Sequence, residues 1–112
     1  MWSNKVIAVV LLGMVLSATA NAADFTVDQK DKSFQMNGKK IDHLTIKVGD
    51  TVHFRNEDPW FHNIFSLSDV KTFDLGSYPK GQSKAVTFDK PGEAEIECAI
   101  HPVMYMVIDI EE

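Results

Sequence analysis

The chain has 112 residues, with 16 acidic against 11 basic side chains and a formal net charge of −5. That length suits one domain, and the acidic balance argues against nucleic acid or anionic lipid as a partner and favours a basic one. The first segment in chain order reads as a leader. Lys5 gives a positive start, Val6 to Leu16 is apolar apart from Gly13, and Ala20-Asn21-Ala22 is an A-x-A cleavage pattern. The apolar run is shorter than the roughly 20 residues that span a bilayer. The expectation is a signal peptide over residues 1–22, removed on export to the periplasm. A single domain over 23–112 then begins at Ala23 and does not insert in the membrane. Removing Lys5 moves the formal charge from −5 to −6.

Beyond the leader, short alternating stretches dominate, and none has the period of an amphipathic helix. Phe25 to Val27 and Phe34 to Met36 are candidate strands, with Asn37-Gly38 a turn. Ile41 to Val48 follows, alternating Leu44, Ile46 and Val48 against Thr45 and Lys47. Gly49-Asp50 turns the chain into Thr51 to Arg55, and Asp58-Pro59 breaks that strand, because proline cannot donate to a ladder. A strand is expected from about His62 to Leu67, then an irregular stretch from Ser68 to Gln82. Ala85 to Phe88, Glu93 to Cys98 and about Met104 to Ile110 complete the set. Seven or eight short strands at this spacing predict an all-β fold, an antiparallel β-sandwich.

Cys98 is the only cysteine. An exported domain of this size usually pairs its thiols, so a lone one invites oxidation unless something occupies it. Its neighbours suggest what. Cys98-Ala99-Ile100-His101-Pro102-Val103-Met104-Tyr105-Met106 gathers a thiolate, an imidazole and two thioethers between two predicted strands. A loop this tight can wrap one side of an ion. A weak thioether added to a His₂Cys plane points to copper that moves between Cu(II) and Cu(I). The second imidazole must come from His43, His53 or His62. His53 alternates with Val52 and Phe54 and should face outward, and His43 precedes Leu44 in the same sense. His62 follows a proline-containing loop beside Trp60 and Phe61, and it completes the set.

The pattern His62-Asn63, then Cys98-x-x-His101-x-x-Met104, resembles the cupredoxins, the small type 1 copper proteins, in their amicyanin- and plastocyanin-like branches. Gly49-Asp50-Thr51-Val52, Asn56 and the Lys90-Pro91-Gly92 turn extend the likeness over nearly all of residues 23–112. The resemblance implies a Greek-key β-sandwich with one copper ion at one end, held by His62, Cys98 and His101 with Met104 as a long axial ligand. It also implies that the Asn63 side chain ties the His62 strand to the Cys98 loop. Two positions depart from the pattern: Glu97 stands where plastocyanins carry an aromatic residue, and Ile100 replaces the proline that commonly precedes the loop histidine. Met106 competes with Met104 at the longer spacing of plastocyanin. Met104 is preferred because its distance to the end of the strand matches the relatives, which leaves Met106 to packing.

The surface expected around His101 is apolar, with Pro102, Val103 and one or both of Trp60 and Phe61, which suits brief docking with little buried area. Glu93, Glu95 and Glu97 alternate with inward residues and line an outer face, either as plain solvated surface or as a steering field for a basic partner such as a c-type cytochrome. The functional expectation is a monomeric, non-enzymatic, periplasmic one-electron carrier between redox proteins, including a periplasmic oxidoreductase. Copper delivery or resistance is the alternative. Sequestration tends to use Met-rich or His-rich runs, and this chain has neither.

Overall fold

The computed structural model describes residues 21–112 and contains ten strands and no helix among them. In chain order they are β1 (Asp24–Lys30), β2 (Ser33–Met36), β3 (Lys39–Lys40), β4 (His43–Lys47), β5 (Thr51–Asn56), β6 (Ile64–Ser68), β7 (Lys71–Asp74), β8 (Ser83–Thr87), β9 (Gly92–Cys98) and β10 (Tyr105–Glu111). They form two five-stranded sheets, ordered β3-β2-β1-β5-β8 and β4-β10-β9-β6-β7. The expected leader, residues 1–22, lies outside the described residues except for Asn21 and Ala22, which are exposed.

Alternation dictates which face each strand buries. In β9, Ala94, Ile96 and Cys98 point into the sandwich while Glu93 and Glu95 stay in water. Met106, Ile108 and Ile110 do the same in β10, and Val27, Val52, Phe54 and Val86 meet them from the other sheet. Each such side chain, fully buried, contributes about 1.5–3 kcal/mol relative to exposure. The phenyl rings of Phe54, Phe73 and Phe88 run through one flank of this core, with centroids 6.0 and 6.3 Å apart.

The β-sandwich is as expected, but its sheets are mixed rather than wholly antiparallel. β1 runs parallel to β5 in the register Asp24↔Thr51 through Gln29↔Asn56, and β4 runs parallel to β10 from His43↔Val107 to Lys47↔Glu111. Period-2 patterning reports which face is buried and is blind to strand direction, so these pairs could not be read from it. The stretch expected to be irregular contains β7, an edge strand that pairs with β6 and half-buries Lys71 and Phe73. Two of the turns take left-handed backbone at two consecutive residues. Asn37 and Gly38, at φ 52° and 79°, join β2 to β3 where a turn was expected, and Asp31 and Lys32, at 53° and 56°, join β1 to β2. The second pair has no glycine to ease it, so something else must hold it.

Candidate metal centre

One end of the sandwich gathers three loops. Cys98 ends β9 in the inward phase set by Ala94 and Ile96. Its partner across the ladder is Ile64, the first residue of β6, so the loop residue His62 arrives beside it from the adjacent strand. His62 was expected to open β6; it lies instead in the loop before it, because Asn63 gives its backbone to Cys98 and Ala99. The Asn63 N–H points at Cys98 Sγ at 3.5 Å, and Asn63 O accepts from Ala99 N–H at 2.9 Å. His101 sits in the connection from β9 to β10, where Met104 N–H donates to His101 O at 2.9 Å and closes a tight turn.

Three donor atoms converge. His62 Nδ1 and His101 Nδ1 are 3.1 Å apart, and Cys98 Sγ lies 3.6 Å from the first and 3.8 Å from the second. A metal bound in a trigonal plane at about 2.0–2.1 Å from nitrogen and 2.3 Å from sulfur would set edges of about 3.6 and 3.8 Å. The triangle therefore fits one ion with little rearrangement, and a thiolate with two imidazoles is a donor set suited to copper. His62 and Cys98 are buried, whereas His101 is only half-buried. Burial first, then the neighbouring His62 and the Lys32 ammonium, hold the His101 imidazole below the usual histidine range against an opposing pull from Asp58, and the lowered value favours the neutral, metal-binding form of His101.

Asp58 is the residue that the sequence did not single out as part of the site. It is 2% exposed, and its Oδ2 accepts from His62 Nε2 at 2.6 Å, a contact that fixes the proton on Nε2 and turns the Nδ1 lone pair inward. The same carboxylate accepts backbone N–H groups from Asp31 at 2.7 Å on Oδ1 and from Lys32 at 3.3 Å on Oδ2. It thus also holds the glycine-free turn between β1 and β2. Burial alone would raise its pKa, but the hydrogen bonds from His62, Asp31 and Lys32 prevail and hold it below the usual carboxylate range. Asn56 supports the arrangement: its Oδ1 accepts from Asp58 N–H, and its Nδ2 reaches Trp60 O and Tyr78 O. The signal in the sequence was the carboxylate four residues before His62 in a proline-containing loop.

The Asn63 side chain does not tie the two loops, as the resemblance implied. Its Nδ2 donates to Asp74 Oδ1 at 2.6 Å in β7, and the link to Cys98 is made by its backbone. His43 and His53 stay out of the cluster, as expected, in exposed pairs with Asp109 at 2.8 Å and Asp24 at 2.9 Å. Both methionines are buried: Met104 ends the ligand loop just before β10, while Met106 stands inside β10 opposite Ile96. Around the triad the surface is apolar. Trp60, Phe61, Ile100 and Val103 are all exposed, Val103 to 79%, so neither aromatic caps the core. Lys32 Nζ rests 5.5 Å from the centre of the Trp60 ring. Of the acidic strand, Glu93 and Glu95 are exposed, Glu97 is half-buried, and Glu95 accepts from Tyr105 O–H at 2.9 Å.

Comparison with known proteins agrees with this geometry. No curated protein matches the chain. Among solved structures, a reduced amicyanin variant is 27% identical over 83% of this chain and 86% of its own, with a TM-score of 0.66. A methionine-to-alanine variant of amicyanin in its Cu(I) form is 24% identical, covering 85% of this chain and 87% of that one at a TM-score of 0.66, and shows the shared fold. The copper-containing nitrite reductase of Thermus scotoductus SA-01 is 29% identical over 87% of this chain but only 24% of its own, with a TM-score of 0.70. Residues 23–111 match the profile of the copper binding proteins of the plastocyanin/azurin family, and the triad at the sandwich end fits one type 1 copper ion. The chain is a cupredoxin and belongs to that plastocyanin/azurin family.

Proposed function

We propose that this cupredoxin is a periplasmic one-electron carrier whose copper would be held by His62, Cys98 and His101, with Met104 as the fourth donor. The observation that carries the reading is the convergence of His62 Nδ1, His101 Nδ1 and Cys98 Sγ within 4.8 Å, inside a wall of protein that leaves one imidazole partly at the surface. Copper bound there supplies a Cu(II)/Cu(I) couple. The residues supply the rest. Asp58 holds the His62 ring, the Asn63 N–H stabilises charge on Cys98 Sγ, and the Met104-to-His101 turn fixes the loop. Four protein donors leave no position for a substrate, so the site favours electron transfer over catalysis. The apolar rim of Phe61, Ile100 and Val103 around His101 suits a short-lived complex with a redox partner, a c-type cytochrome or a periplasmic oxidoreductase.

The test is the visible spectrum and voltammogram of the copper-loaded protein. Intense blue colour with fast reversible reduction supports the carrier, and a colourless protein that holds only Cu(I) supports copper delivery instead. Cys98→Ser should abolish the colour, because the thiolate donor of the charge transfer is gone. His62→Ala should lose copper, whereas His43→Ala and His53→Ala should keep both colour and metal. Equal loss in either control would mean that the ligand assignment is wrong.

A further inference from the structure

The opposite end of the sandwich holds a socket for the start of the domain. An open groove of about 550 Å³ lies there, lined in part by Ala22, Ala23, Ile46, Val48 and Glu111. At its side stands Asp50, 4% exposed, in the turn that carries the chain from one sheet to the other. Both of its carboxylate oxygens are engaged: Oδ2 accepts from Lys47 N–H at 2.8 Å, and Oδ1 from Ala23 N at 2.8 Å. Ala23 O in turn accepts from Thr51 N–H at 3.0 Å, so the residue is gripped on both sides.

In the uncut chain the Ala23 nitrogen is a neutral amide. Cleavage after Ala22, the export reading on which this inference rests, would make that same nitrogen an α-ammonium. We propose that removal of residues 1–22 converts the Ala23–Asp50 hydrogen bond into an ion pair that pins β1 to the β4–β5 turn, so that processing itself stabilises the folded domain. The ionised carboxylate already makes this bond charge-assisted, and an ammonium donor would add the Coulomb attraction of a second full charge at 2.8 Å. The open groove leaves water access for the two remaining ammonium protons. Hydrogen bonds from Ala23 and then Lys47 already hold Asp50 below the usual carboxylate range despite its burial, so it is ionised and ready at neutral pH. Charged groups near this end include Lys47 and Glu111, which pair with each other at 3.8 Å, Asp24, which pairs with His53, and Asp89, which follows Phe88 and pairs with Lys71 at 4.0 Å.

The test uses copper-loaded protein recovered after export. Intact mass should show a chain that begins at Ala23; a different start overturns the cleavage boundary and the ion pair together. Given that start, selective Nα-acetylation leaves an N–H in the same place and removes only the charge. It should lower the melting temperature by about 4 °C or more, and by much less in Asp50→Asn. Equal melting of the free and acetylated chains refutes the ion pair and leaves export standing. Should Asp50→Asn fail to fold through loss of the Lys47 contact, nitrogen-15 titration of Ala23 decides the matter. The α-amine pKa should rise at least one unit above the usual value of about 7.7–8.0, and an unshifted value refutes the proposal.

Discussion

Replacing Asp58 with asparagine changes one atom in a buried contact and removes one negative charge from the wall of the metal site. The carboxylate accepts three N–H groups, from Asp31 on one oxygen and from His62 and Lys32 on the other. An amide accepts on one side only, so in either orientation its NH₂ faces a donor. If the oxygen stays with His62, the Asp31 N–H is left unpaired in the turn, at a cost of about 1–3 kcal/mol, or roughly 5–15 °C in melting temperature for a domain of this size. The electrostatic effect is separate. The 2.6 Å contact, an imidazole about 2 Å across and a metal–nitrogen bond of about 2 Å put the carboxylate about 7 Å from an ion on Nδ1. At an effective dielectric of about 20 that is about 2.4 kcal/mol per unit charge, equivalent to about 100 mV for one electron. A negative charge favours the more positive oxidised state, so Asp58→Asn should raise the reduction potential by about that much. Voltammetry and a thermal melt on the same sample separate the two effects. A lower melting temperature with an unmoved or lowered potential would refute the electrostatic reasoning and leave Asp58 as a clamp on the β1–β2 turn alone.

Met104→Gln should lower the potential and alter the balance of visible bands, since an oxygen donor favours Cu(II); Met106→Gln should chiefly lower the melting temperature, by burying an amide opposite Ile96 at about 1–3 kcal/mol. The reverse outcome in voltammetry would make Met106 the axial donor. The pair Glu95→Lys and Glu97→Lys should slow association with a basic cytochrome and flatten its salt dependence with the copper spectrum unchanged; unaltered association at low salt would leave that face as plain solvated surface. Asp50 has its pKa held below the ordinary 3.8 by the Ala23 and Lys47 N–H groups, so it contributes stability that is present above that value and lost as pH falls through the lower folded pKa. Denaturant melts of the native domain and of Asp50→Asn should therefore converge as pH falls through that lowered pKa, and a difference that shows no pH dependence on the acid side would contradict the assignment.

What could be read from the sequence follows from which physical signals are local. The inward phase of Ala94, Ile96 and Cys98 is written in β9 itself, and with the spacing to His101 it located most of the site. His43 and His53 were set aside on the same grounds, and their exposed pairs with Asp109 and Asp24 agree. Strand direction is not local: pairing Asp24 with Thr51 depends on how three intervening strands fold back. Neither are hydrogen-bond partners. Asp58 looked like a strand breaker because its role needs both His62 and the turn at Asp31, 27 residues away in the chain. Asn63 was assigned to the wrong neighbour because Asp74 belongs to β7, whose exposed alternation gave no strand signal.

The place of β10 in its sheet bears on when the protein can assemble. This last strand of the chain lies between β4 and β9, and its pairing with β4 joins residues 64 positions apart, such as His43 and Val107. Without it β4 has no partner in its sheet, and the loop that carries His101 has no fixed far end. Contacts of such separation form late and slowly. A chain in which β10 has not yet docked therefore stays open at this sheet, and copper can meet a finished site only after that strand has slotted into place.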